Sequence, residues 1–376
     1  MINKDLVKLF TEAAEISSPS GYEKDIAGWI TNKMNDLGWK VWTDDSGKKN
    51  QSNSGNIYAY LEVSPEYKTL VFSAHMDTVQ KLGEQVKVKF DGKVFTSTGK
   101  TILGADNKAG IVSLLALAES LDIGKLSCNL LFFFTTHEEA GVMGSSFFKF
   151  DKASIKYVFN LDSSDLPGVF VYKSLGYENF IIEVHGLASH AAKSYDKGKD
   201  AVKISASLIN SLPIGKNSQQ GWTLNIGQVH GGEATNVVCD LVTLTGEIRA
   251  FKDQTIKSVE EKISQISQKI GKRFNTQIKF KIKKSSYIPP FNGDKNSAIA
   301  KLCYQTSLSV GLKPIFKESF STSDANNLSG KGYPTISVSR GGSNAHSNSE
   351  KLQLRHLKQT AGFLKKLVET AMHIIV

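Results

Sequence analysis

The sequence predicts an α/β protein in which a mixed, largely parallel sheet flanked by helices is interrupted by a smaller inserted domain. Three observations predict it. Segments such as "LLFFF" are continuously apolar, as strands buried on both faces are. They alternate with stretches whose apolar residues recur at helical spacing. From about Tyr177 the texture changes to an apolar/polar alternation, and after "YIPPFNG" the buried texture returns. With 376 residues, 40% of them hydrophobic, two cores are affordable. The expected division is a discontinuous domain, 1–176 with 289–376, around an insertion at 177–288.

The elements follow in order. Leu6, Leu9, Phe10 and Ala13 give a first helix its apolar face. "SSPSGYEKDIAGWITNKMNDLGW" reads as a turn and a second helix, with Ser20 and Glu23 spaced as a capping box. "KVWTDD" is a short strand and "SGKKNQSNSG" a polar loop. "NIYAYLEV" and "TLVFSAH" are strands. "TGKTILGADNKAGIVSLLALAESL" is a loop and then a helix from about Asp106. "CNLLFFFTTHEE" and "YVFNLDSSD" are buried strands. In the insertion, "YENFIIEVHG" alternates as a half-exposed strand does. The helix "KDAVKISASLINSLP", two strands, the helix "QTIKSVEEKISQISQKIG" and the strand "TQIKFKIKKSS" complete it. That order, β-α-β-β-α-β, is ferredoxin-like, and it closes at Pro289-Pro290. The helix "SAIAKLCYQTSLSVGL", the strand "PTISVSR" and the helix "LRHLKQTAGFLKKLVETAMHII" return to the first domain.

Composition excludes several classes of function. No apolar run approaches the ~20 residues of a membrane span, and no apolar leader follows a basic start, so a soluble, cytoplasmic protein with no membrane partner is expected. Cys128, Cys239 and Cys303 are isolated, which fits a reducing compartment. The net charge of +10 comes from scattered lysines that are not interleaved with aromatics on one element. It is read as a solvated surface, with no nucleic-acid partner.

Ligands of a parallel α/β sheet sit beyond the carboxyl ends of its strands. Here those ends carry metal-type residues. "LVFSAH" ends at His75, with Asp77 two residues on. "LLFFFTTHEE" ends at Glu138 and Glu139, and "YVFNLD" at Asp162. The loop after "TISVSR" delivers His346, and Asp106 opens a helix, where an anion is favoured. Two imidazoles, several carboxylates and no cysteine suit catalytic zinc, or cobalt or manganese, better than a closed structural site. So many carboxylates exceed the needs of one zinc and are better used by two metals ~3.5–4 Å apart that share a bridging carboxylate. Asp77 is placed to fix the imidazole of His75 from behind. His137 opens a zinc-protease-like "HEEAG", but Gly141 stands where a second histidine would be, and His137 is expected to bind no metal.

The motifs "SAHMDTV", "GADNKAG", "THEEAGVMGS", "NLDSS", "HGLASHAA" and "GGSNAH" come in the order and spacing of the M20 metallopeptidases. From first helix to last the chain resembles their peptidase T-like (tripeptide aminopeptidase-like) branch. The resemblance implies a zinc-peptidase-like catalytic domain with an inserted lid domain that can form a homodimer. His75 and Asp162 would hold one metal and Glu139 and His346 the other, with Asp106 bridging. Glu138 would be the general base and Asp77 would orient His75. His190 would help to stabilise the oxyanion, and Asn236 and Arg249 would contact substrate. The family's cis peptide bond would fall at Asp106-Asn107. Asn107 departs from the branch, which usually carries Asp there, and so removes a negative charge beside the metals. Asp165 in "DSSDLPG" matches the substrate region loosely, so no site for a free amine carries over.

The expected function is hydrolysis of short peptides by metal-activated water, with Glu138 moving the proton. The rivals are a metal-dependent amidohydrolase or deacylase acting on N-acyl amino acids and, more remotely, a non-catalytic binding protein on the same scaffold. Peptide length, side-chain preference, trimmed end, physiological metal and oligomeric state are not written in the motifs.

Overall fold

The computed structural model describes the backbone of residues 2–375 and the side chains of residues 6–372. The chain parts into two compact units. One is built from the chain up to Lys173 and again from Phe291, and the other is Ser174–Pro290.

The first unit is organised on a nine-stranded sheet. Its centre is a parallel block in the order Asn129–Thr135, Thr69–His75, Ile155–Ser163, Thr335–Ser339. Antiparallel strands extend it, Ile57–Leu61 and Lys40–Thr43 on one side and Val169–Ser174 on the other. Every residue of Thr69–His75, Asn129–Thr135 and Thr335–Ser339 is buried, as the largely apolar runs of the first two require; Thr335–Ser339 alternates hydroxyl and apolar residues and is buried all the same. The helix Ala105–Ser120 is apolar nearly all round. It is sealed between the sheet and the helices Ile2–Glu15 and Leu354–Ile375, which turn only one apolar face inward.

The second unit is an antiparallel sheet with two helices, Ala201–Ser211 and Asp253–Arg273, on one face. Its long strands are Gly176–His185, Trp222–Gly231, Leu241–Ala250 and Ile278–Ile288, which in space run 4-1-3-2. This is the expected β-α-β-β-α-β order, with one extra short edge strand, Gly215–Asn217, that the sequence pattern does not predict. Burial alternates strictly along Gly176–His185.

Two local expectations are corrected. "SGKKN" is a short helix, Ser46–Asn50, and not loop, because Ser46, Gly47 and Asn50 are buried and Asp44 accepts the Ser46 N–H. Ser20 and Glu23 form no capping box. The helix starts at Lys24, with Glu23 as a cap whose side chain makes no cap bond. Both side chains are claimed by partners outside the helix start. The Ser20 hydroxyl donates to Asp77 at 2.6 Å, and the buried Glu23 carboxylate accepts the N–H of Gly21 and of His137.

Candidate metal centre

Strand register brings the residues of interest to one rim. His75 pairs with Thr135, and Ser73 pairs with Asn160 on the other side. His75 and Asp162, each two residues further along, therefore finish level. Ser337 pairs with Asn160 from the far side, which carries Arg340 to the same end. Glu138 and Glu139 lie in a tight loop whose His137, Gly141 and Val142 have φ of 54°, 124° and 55°. The N–H of Val142 closes that loop on the Glu138 carbonyl at 2.6 Å. Asp106 opens the helix Ala105–Ser120, and the Asp106-Asn107 peptide bond is cis. Asn107 is buried and its side-chain oxygen accepts the Gly110 N–H. Gly110 permits this closeness, since a Cβ there would meet that oxygen at 2.3 Å and the Leu161 carbonyl at 2.9 Å. The loop that bears His346 is pinched at its base by reciprocal bonds between Ser343 and Lys351.

Two imidazoles and four carboxylates converge. His75 is 1% exposed, and its Nδ1 lies 2.9 Å from the Asp77 carbonyl. A carbonyl only accepts, so the proton is assigned to Nδ1 and Nε2 is the nitrogen left to coordinate. That Nε2 faces Asp106 Oδ1 at 3.1 Å and Asp162 Oδ1 at 3.5 Å. His346 Nε2 faces Glu139 Oε1 at 3.0 Å and Asp106 Oδ2 at 3.6 Å. The two oxygens of Asp106 thus face two different imidazoles. Two overlapping sets of ligand atoms, each within 4.8 Å, share His75: one with Glu138 and Asp162, one with Asp106 and Glu139. Glu138 is therefore at ligand distance as well, and proximity alone does not separate a base from a ligand.

Asp77 holds more than His75. Its carboxylate lies 3.5 Å from His75 Nδ1, but its shorter bonds are from the N–H of Glu138 and of Glu139, both at 3.0 Å, and from Ser20. One fully buried carboxylate thereby fixes the backbone of the glutamate pair as firmly as the imidazole.

The electrostatics show a site in want of positive charge. Burial pushes the Glu138 carboxyl well above its usual range, and Asp162 adds to it; burial also raises Glu139. Burial alone would lower His75, but Asp162, Asp106 and Asp77 lift it well above the ordinary imidazole value. Bonds to Asp106 and Glu139 lift His346 to about 10. Protonated imidazoles are one way to offset so many carboxylates. A divalent cation is the other, and it takes the imidazoles neutral. The donor set, nitrogen and oxygen without thiolate, fits such an ion.

Several residues at this rim escaped the sequence reading. Arg340, 1% exposed, places Nη2 2.6 Å from Asp106 Oδ1 and holds that carboxyl well below its usual range against the effect of burial. Glu350 accepts the N–H of Leu103, Gly104 and Asp106 at 2.9, 2.7 and 3.0 Å, fixing the turn that presents Asp106. Buried Lys108 donates to Ser18 Oγ at 2.6 Å, and Ser18 donates to the Met76 carbonyl at 2.8 Å, propping the segment between His75 and Asp77. An arginine directly after a buried strand was the only available signal. Asp165, near the rim, is taken up by Ser163 and Lys317.

The remaining candidates lie in the second unit. His190 is exposed, and its Nδ1 accepts the N–H of Ala192 and of Lys193 at 3.2 and 3.3 Å. The ring proton is thereby assigned to Nε2, as a donor. Exposed Asn236 is brought beside it, its carbonyl accepting the Ala191 N–H at 3.0 Å. Arg249 is half-buried. Its Nε and Nη2 are engaged by Glu247 at 2.7 and 2.9 Å and its plane lies over Tyr177.

The chain is similar to known peptidases. Residues 172–275 match the M20 peptidase dimerisation domain, and residues 56–205 match peptidase family M28. The uncharacterised Bacillus subtilis protein YqjE is 27% identical over 99% of this chain and 100% of its own length. Peptidase T of Caldanaerobacter subterraneus is 24% identical over 84% of this chain and 85% of its own. The crystal structure of the aminopeptidase PepT from Bacillus cereus superposes with a TM-score of 0.89 at 28% identity, covering 97% of each chain. These similarities support an M20-like, peptidase T-like metallopeptidase.

Proposed function

We propose that the chain is a two-metal exopeptidase that trims short peptides, di- or tripeptides, from the amino end. The observation that carries this reading is the facing of Asp106 Oδ1 and Oδ2 toward His75 and His346 respectively. It supports one carboxylate shared between two ions, with His75 and Asp162 completing one set and Glu139 and His346 the other. Zinc suits these donors, with cobalt or manganese as substitutes. When bound, the ions supply Lewis acidity that makes water a nucleophile at neutral pH and polarises the peptide carbonyl.

The chain's own residues do the rest. Glu138, buried and raised well above the usual carboxyl range, is suited to take a proton from the attacking water and return it to the nitrogen of the leaving amine. Asp77 keeps Glu138 and Glu139 in place through their amides. His190, with its proton on Nε2, is suited to donate a hydrogen bond to the developing oxyanion, a contribution typically worth about 2.7–4 kcal/mol per donor. Asn236, held beside it, is proposed to contact substrate. The name of the domain that matches residues 172–275 supports a homodimer through this unit.

The test uses protein reconstituted with zinc and a series of tripeptides with free or acetylated amino ends. Glu138→Gln should retain its metal and lose hydrolysis by at least about a hundredfold. Near-normal hydrolysis by this variant would remove Glu138 as the base. Cleavage only of the acetylated series would replace the aminopeptidase by a deacylase.

A further inference from the structure

Arg340 is a cation set among residues that would bind cations. It follows Ser339, the last residue of a wholly buried strand, and is itself sealed from solvent. Arginine is almost never fully buried unless its charge is paired. Its shortest contact is Nη2 to Asp106 Oδ1 at 2.6 Å. Nη2 also reaches Ser164 Oγ at 3.0 Å, and Nη1 donates to the Gly341 carbonyl at 3.1 Å. Nε has no partner among the described residues. An arginine placed only to complete a hydrogen-bond network would be expected to satisfy Nε. This one leaves it open and spends its closest approach on a carboxylate.

That carboxylate oxygen is the one that also faces His75 at 3.1 Å. A guanidinium does not lose its proton in proteins, so Asp106 carries a permanent positive neighbour on Oδ1. Resting on the two-metal reading above, we infer that Arg340 is the charge-setting residue of the metal centre. It takes up part of the Asp106 carboxylate and opposes an incoming divalent ion with its own charge, so that it loosens metal binding while holding the metal-free site together.

Two effects of Arg340 oppose each other. As a donor it orients a ligand, which favours the metal; losing such a bond typically costs about 10–100-fold in affinity. As a charge it repels a doubly charged ion that shares its carboxylate. Coulomb repulsion at this range, in an interior of low dielectric, outweighs one orienting bond. Glu350 offsets part of the Arg340 charge, but it is spent on the N–H groups of Leu103, Gly104 and Asp106 and makes no bond to the guanidinium. The net effect assigned to Arg340 is therefore weaker binding.

The experiment is a titration of the full chain, stripped of metal, with zinc against a chromophoric chelator, together with the melting temperature of each metal-free protein. Arg340→Met should bind zinc at least about tenfold more tightly than wild type and melt at a lower temperature without metal. Arg340→Lys, which keeps the charge, should stay within about threefold of wild type. Arg340→Gln, a second neutral and shorter side chain, should also bind more tightly, and it decides the matter if the Met variant does not fold. Equal or weaker binding by the neutral variants would overturn the inference while leaving the metal centre standing. A wild-type protein that takes up no zinc would overturn both.

Discussion

Replacing Asp77 by Asn changes one oxygen for an NH2 group of nearly the same size. Asp77 is 0% exposed and accepts three bonds: Glu138 N–H at 3.0 Å on Oδ1, and Glu139 N–H at 3.0 Å and the Ser20 hydroxyl at 2.6 Å on Oδ2. An amide can keep its oxygen on the Oδ2 side, where two donors arrive. Its NH2 then faces the Glu138 N–H, donor against donor. One charge-assisted bond is lost, a buried N–H is stranded, and His75 loses a negative neighbour 3.5 Å away. Bonds to ionised groups are worth about 1.5–3 kcal/mol, so Asp77→Asn should lower the unfolding free energy of the metal-free protein by about 2–3 kcal/mol. Since the amide of Glu138 and the ring of His75 both loosen, zinc affinity should fall about 10–100-fold. Burial opposes ionisation of Asp77, but His75, Ser20 and the Glu138 N–H prevail and hold its pKa below the usual carboxylate value. A depressed carboxyl stabilises above its unfolded pKa and ceases to do so as the pH falls through its folded one, so the difference between variant and wild type should shrink in acid. Urea unfolding from pH 7.5 downward, followed by circular dichroism, measures it. Unchanged stability with weakened zinc binding would mean that the carboxylate serves His75 alone, and the bonding assigned to the glutamate amides would be refuted.

Glu350→Ala removes the acceptor of three amides at once, and the same urea assay should register a loss of about 3–5 kcal/mol together with weaker zinc binding; a loss under 1 kcal/mol would mean that water replaces the carboxylate. In the second unit, burial and then the neighbouring Glu260 push Glu178 from 4.5 up to about 7. A carboxyl raised in this way keeps a proton in the folded state that the unfolded chain has released, so stability falls as the pH rises from about 4.5 to about 7. Glu178→Gln should therefore melt above wild type at pH 8 and with it at pH 4, and parallel melting curves across that range would dismiss the assignment.

How legible was this molecule in its sequence? The buried strands were, because a strand covered on both faces favours a largely apolar run, and Thr69–His75 and Asn129–Thr135 are buried at every position. The rim residues were legible for a related reason: a polar residue that ends such a run must lie at the end of the sheet. Short edge elements were not. Val88–Phe90, Val94–Ser97 and Lys351–Gln353 form a separate small sheet, but runs of three or four residues are too short to carry a periodicity. The helix at Ser46–Asn50 failed for a different reason, since tertiary burial of small polar residues overrode a loop-like composition.

The sequence by itself determined which residue types stand at the strand ends, His75, Glu138, Glu139 and Asp162, and which unit bears His190, because apolar periodicity and order along the chain decide that much. Only the tertiary structure decided how they are used. Partners hundreds of residues apart have no spacing to betray them: Glu350 meets the amide of Leu103, and Arg340 meets Asp106. Ser20 and Glu23 have the spacing of a local cap but do not form one. A buried carboxylate such as Asp77 or Glu23 must find donors wherever the fold supplies them, and here that need outweighed the gain of capping a helix from its own sequence.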